Sequence, residues 1–138
     1  MKKKVTLELP WPPRELSPNV RVDRYTKNKK FQSYKLQAYA LTLKATGNKP
    51  ARPAEMTSVR PTVNVQYCLT PPDRRARDED NFFASMKAAQ DGIALALKVN
   101  DCFFHLRELT HAGADRMHPK VLVTLDWIQT KETKEAAQ

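Results

Sequence analysis

The chain has 138 residues, with 24 Lys plus Arg against 15 Asp plus Glu and a net charge of +9. That length fits a single domain able to bury a core without staples. At 28% charged and 41% hydrophobic residues the composition excludes a disordered or fibrous chain, and no apolar run approaches the ~18 residues of a membrane span. The start, Met1-Lys2-Lys3-Lys4, meets Glu8 and Pro10 before any apolar stretch forms, which argues against a signal peptide and for a cytoplasmic protein. Cys68 and Cys102 are too few for a disulfide framework and are expected to be reduced. Residues 1–60 hold 14 basic and 4 acidic side chains, whereas residues 61–138 hold 10 and 11. The net charge therefore divides into +10 and −1, and the basic part favours a polyanionic partner.

In chain order, Val5 to Leu9 alternates apolar and polar residues as a half-buried strand does, and stops at Pro10-Trp11-Pro12-Pro13. Arg14 to Lys30 shows no period and reads as a long exposed loop or irregular basic hairpin, carrying Lys27, Lys29 and Lys30. A helix is expected from Ser33, as N-cap, to Thr46, with Leu36, Tyr39, Ala40 and Leu43 as its apolar stripe and Gly47 as its stop. Asn48 to Pro61 reads as a connector. Thr62 to Leu69 alternates cleanly as a strand. Asp73 to Asp80 then packs seven ionisable residues into eight positions. Phe82, Met86, Ala89, Ile93 and Leu97 recur at steps of three and four, predicting one helix from Asn81 to Lys98. Asn100-Asp101 is a turn, Phe103 to Thr110 and Val121 to Ile128 are two strands, and residues 130–138 form a frayed tail. The fold class is α+β: one domain, a mixed sheet of about four strands and two helices packed on one face.

Candidate chemistry concentrates in the acidic stretch. In an extended segment Asp78 and Asp80 point to the same face, so their carboxylates can converge. Carboxylate oxygens are hard ligands suited to Mg²⁺, and a metal so held can orient and activate a phosphodiester for hydrolysis. Arg74, Arg75 and Arg77 beside them supply the attraction for phosphate that bare carboxylates would deny. The competing reading is structural: Asp80 caps the following helix, and acidic residues suit its first turn. Asp101 follows a helix of ~27 Å and returns to the pair only if that helix is shorter or broken. Lys87 lies seven residues beyond Asp80, nearly on the same helical face, where it either supports charge in a transition state or is a plain surface lysine. Cys68, Cys102, His105, His111 and His118 lack zinc-ligand spacing, and three glycines make no phosphate loop. Trp11, Tyr25, Phe31 and Tyr34 lie among the early cations and either stack on bases or pack the core.

The chain resembles the RusA-type Holliday junction resolvases. The resemblance rests on Leu9-Pro10-Trp11-Pro12-Pro13, on Ser33 with Gln37-Ala38-Tyr39, and above all on Pro72-Asp73-Arg74-Arg75-Ala76-Arg77-Asp78-Glu79-Asp80-Asn81, continued by Lys87-Ala88-Ala89, Asp91 and Asp101. It implies a homodimeric endodeoxyribonuclease that nicks four-way junction DNA symmetrically with Mg²⁺ (Mn²⁺ substituting). The resemblance assigns Asp78, Asp80 and Asp101 as metal-holding catalytic residues and Lys87 as the catalytic lysine. Two departures stand out. The family's lysine usually follows the second aspartate by four residues rather than seven, and Asn100 stands where many members have another acid.

Overall fold

The computed structural model describes residues 2–51, 53 and 63–129. The expected tail at 130–138 and most of the connector after Asn48 lie outside them. Five strands form one mixed sheet: β1 (Lys2–Pro10), β2 (Val63–Thr70), β3 (Phe104–Leu106), β4 (Thr110–His111) and β5 (Lys120–Ile128). The order is β1-β5-β2-β3, with β4 also pairing β2. Strand β5 is antiparallel to both β1 and β2, so those two run in the same direction, and β3 and β4 run parallel to β2. The expected Phe103–Thr110 strand is thus two short pieces, interrupted around the buried Leu109.

Alternation explains which face is covered. Register aligns Leu7 with Val123 and Tyr67, and Leu9 with Val121 and Leu69, so the buried residues of three strands share one side. Against that side pack α1 (Arg24–Thr46) and α3 (Lys87–Leu97), whose Tyr34, Ala38, Ile93 and Leu97 join the same core cluster. A Cβ at Gly92 would lie 2.2 Å from the Lys35 carbonyl oxygen, so the backbones of α1 and α3 touch there and only glycine fits.

Among the described residues three α-helices replace the expected two, and their boundaries correct the sequence reading twice. Helix α1 starts at Arg24, with Asp23 as its cap accepting from the Thr26 N–H at 3.0 Å and hydroxyl at 2.6 Å. The last seven residues of the expected Arg14–Lys30 loop are therefore its first two turns, residues 17–23 remain irregular, and Ser33 is an exposed mid-helix residue. The core-facing residues are Tyr34, Ala38 and Thr42, while Leu36, assigned to the apolar stripe, is 61% exposed. The second correction is a break at Met86 (φ −90°, ψ 0°) between α2 (Glu79–Ser85) and α3. The Ser85 hydroxyl bonds the Asn81 carbonyl at 2.9 Å, a back-bond of the kind that bends helices. Apolar spacing runs through the break because Phe82, Met86 and Ala89 are all buried; only the backbone changes phase.

Candidate active site

The ends of the elements fix the place. The Tyr34 hydroxyl donates to the Pro10 carbonyl at 2.6 Å and lies 3.8 Å from the Met86 sulfur. This ties the C-terminal end of β1, the middle of α1 and the α2–α3 break together. At the other end, the Ala51 N–H bonds the Leu97 carbonyl, so α1 and α3 run side by side in the same direction. The N-terminal end of α3 therefore lies where β1 and β2 finish, the end at which open α/β sheets present their ligand sites, and the first turns of α1 run on past it.

Asp78 caps α2. Its Oδ1 accepts from the Asp80 N–H at 2.8 Å and the Asn81 N–H at 3.4 Å. The cap is thus Asp78 rather than Asp80, and one capping oxygen leaves the second, Oδ2, without a partner among the described residues. The Asp80 carboxylate is exposed and has no hydrogen-bonding or ionic partner among them either.

Lys87, Asp91 and Asp101 form a separate cluster. The Lys87 ammonium is paired with Asp101 Oδ2 and with Asp91 Oδ1, the latter at 2.9 Å. These partners, Asp101 first and then Asp91, raise the lysine pKa above its ordinary value. The break at Met86 puts Asp80 and Lys87 on different helices, so the argument that seven residues return to one helical face does not apply. It also shortens the helix before Asp101 to 11 residues, about 16 Å. Asn100 is the cap of the 3-10 turn Asp101–Phe103, its Oδ1 accepting from the Cys102 N–H at 2.9 Å. Sequence reasoning did not weigh Asp91 as a site residue, although its i,i+4 spacing from Lys87 was visible.

The three arginines divide as well. Arg77 donates to Asp73 Oδ1 at 2.7 Å and to the Asp73 and Arg75 carbonyls at 3.1 and 2.9 Å, with its guanidinium 5.3 Å from the centre of the Trp11 ring. It folds the loop onto the body. The Arg75 N–H, foremost, and the Arg77 guanidinium hold the Asp73 carboxyl below its usual range. Among the described residues the Arg74 guanidinium has no partner, and that of Arg75 makes no hydrogen bond or ion pair but is attracted to Asp73. Two clefts flank this loop and share Arg75, Arg77, Asp78 and Phe82: one of about 260 Å³ toward His111, the other of about 490 Å³ toward Trp11.

Beyond the body, the first two turns of α1 carry Arg24, Lys27, Lys29 and Lys30, all exposed, with Tyr25 at 75% exposure. No acid lies in that first turn. Cations at the positive end of a helix cost about 0.3–1 kcal/mol each. Of the other aromatics, Tyr34 is core, Phe31 packs against it and Trp11 borders the larger cleft.

A protein of Xylella fastidiosa (strain Temecula1 / ATCC 700964), described as uncharacterized, is 31% identical over 118 residues, covering 82% of this chain and 74% of that protein. The chain belongs to the same family as this relative. No family model matches the chain. Among the described residues no helix is long and apolar enough to cross a membrane, and no three His, Cys, Asp or Glu side chains are gathered so as to hold a metal ion. Asp78, Asp80 and Asp101 are thus not assembled as one ligand set. The free oxygens of Asp78 and Asp80 nevertheless suit a hard divalent cation, which commonly takes one or two carboxylates and fills its shell with water and phosphate.

Proposed function

We propose that the protein is a metal-dependent, structure-selective endodeoxyribonuclease that acts on four-way DNA junctions as a homodimer. The observation that supports this reading best is the pair of uncompensated carboxylates, Asp78 and Asp80, on the same loop as the exposed guanidiniums of Arg74 and Arg75. Carboxylates left without a counter-charge in a basic protein call for a cation, and Mg²⁺ or Mn²⁺ has the hard-acid chemistry they suit. Asp78 and Asp80 would hold it, with Asp101 joining when its ion pair with Lys87 opens. A bound divalent ion would activate water and stabilise charge on the leaving oxygen.

The protein's own side chains do the rest. Arg74 and Arg75 attract and orient the phosphodiester. Arg77 keeps the loop that carries Asp78 in place. Lys87, its charge secured by Asp91, supports negative charge as it develops. Lys27, Lys29 and Lys30 follow phosphates away from the cut, and Tyr25 among them offers a ring to an exposed base. Two cuts placed symmetrically on a junction match a two-fold assembly.

A second reading, junction binding without cleavage, draws on the pairing of Asp101 with Lys87 and on the absence of a three-acid cluster among the described residues. One experiment separates the two. A synthetic four-way junction is incubated with Mg²⁺ and either the native protein or Asp80→Asn, alongside flapped and linear duplexes. Paired nicks by the native protein and a loss of about 10²–10³-fold in the variant, with junction binding retained, are expected. Binding by both proteins with cleavage by neither overturns the nuclease; equal cleavage of flaps transfers it to other branched DNA.

A further inference from the structure

The larger cleft has walls of two kinds. Pro12, Pro13, Val20 and Phe82 make an apolar side, and Pro12 and Phe82 are themselves buried, so that side is stiff. Arg14, Arg75, Asn19 and Asn81 line the same cleft. The side chains of Arg14, Asn19 and Asn81 have no partner among the described residues, and the Arg75 guanidinium is engaged only by its attraction to Asp73. The cleft holds about 490 Å³, within the ~300–1,000 Å³ range of small-ligand sites. Asp78 lines it too, so its occupant would lie beside that carboxylate.

That chemistry is selective. A phosphodiester alone would use the guanidiniums but leave the proline wall without a contact. An apolar ligand would strand two cations and two amides. A nucleotide satisfies both sides, with phosphate for arginine, a flat ring for proline and phenylalanine, and base edges for amides. In a paired, stacked duplex the ring is not available to such a wall, so the nucleotide must leave the stack. Doing so is cheapest where pairing is already interrupted.

We propose that this cleft receives one unstacked nucleotide from the branch point of the DNA, its phosphate on Arg14 and Arg75 and its base against Pro12, Pro13 and Phe82. The proposal rests on the DNA reading above and adds to it the feature by which a branch is told from a plain duplex. Arg14 belongs to the one-turn 3-10 helix Arg14–Leu16, which the buried Leu16 pins to the core, so one wall of the cleft is fixed before any ligand arrives.

The test uses a four-way junction with 2-aminopurine, whose emission is quenched by stacking, at a branch-point position. It is titrated with protein in EDTA, so that no cleavage intervenes. Native protein is expected to brighten the probe several-fold, while Arg14→Gln combined with Arg75→Gln leaves it dim and weakens binding about tenfold. Both substituted residues are exposed, and unchanged thermal melting establishes that the variant folds. Val20→Glu, which places a carboxylate among the apolar wall residues, should dim the probe in the same way. Binding with no brightening, or brightening equal in native and variant proteins, overturns the cleft proposal whatever the cleavage assay shows. Brightening without cleavage in Mg²⁺ keeps the cleft and removes the nuclease. Absence of junction binding removes both.

Discussion

Two groups of acids lie within one short stretch of this chain, and the structure treats them oppositely. Asp78 and Asp80 are exposed and carry no counter-charge, while Asp91 and Asp101 hold a lysine between them. The second group is electrostatically closed by the protein. The first is left open, and an open pair of carboxylates is the arrangement that a divalent cation completes. Charge counting along the sequence cannot distinguish the two; the break at Met86, which puts Asp80 and Asp91 on different helices, and the pairing of Lys87 do so.

Displacing one helix is the coarsest way to break this contrast. Gly92→Ala pushes a methyl against the Lys35 carbonyl, where no flexible side-chain tip can give way. A loss of about 3 kcal/mol in stability is expected from urea unfolding. Separating roles is finer. Asp78→Asn keeps a capping oxygen and should stay within about 0.5 kcal/mol of native stability, whereas Asp78→Ala costs about 1 kcal/mol. Cleavage should be lost in both, since either removes the charge; activity retained by Asp78→Asn would reduce Asp78 to a cap.

The closed group can be opened. Lys87→Met leaves Asp91 and Asp101 without the ammonium and should cost roughly 1 kcal/mol near neutral pH. The native pKa of Lys87 lies above its ordinary 10.5. The pair's contribution is therefore present in full below that value and fades as pH climbs through the folded-state value. The stability gap between native and variant should be flat from about pH 6 to 9 and close in strong alkali; a gap that closes near neutrality would mean another group is responsible.

The strands were legible because alternation is a local signal: Val63, Val65, Tyr67 and Leu69 face the core as their spacing implies. The start of α1 was not. Arg24 to Lys30 buries nothing, so it has no apolar period, and its cap at Asp23 stands about three turns before the first core residue, Tyr34. Asp78 was visible as an acid beside a helix, but which acid caps depends on where the first turn closes. The helix break was hidden because Met86 keeps its place in the apolar spacing while leaving the helical backbone. Arg77 looked equivalent to its neighbours, and only its bonds to Asp73 and its position over Trp11 set it apart.

The first turns of α1 have one more consequence. Arg24, Lys27, Lys29 and Lys30 repel one another at the end of a helix whose own dipole is already positive. Dissolved salt screens that repulsion and should make the free protein slightly harder to melt, by a few tenths of a kcal/mol between about 0.05 and 0.3 M. Under the proposed function the same salt competes with the protein for phosphates and should weaken DNA binding steeply. One variable thus pushes folding and binding in opposite directions, and parallel melting and DNA-binding titrations across that range would read both slopes from a single preparation.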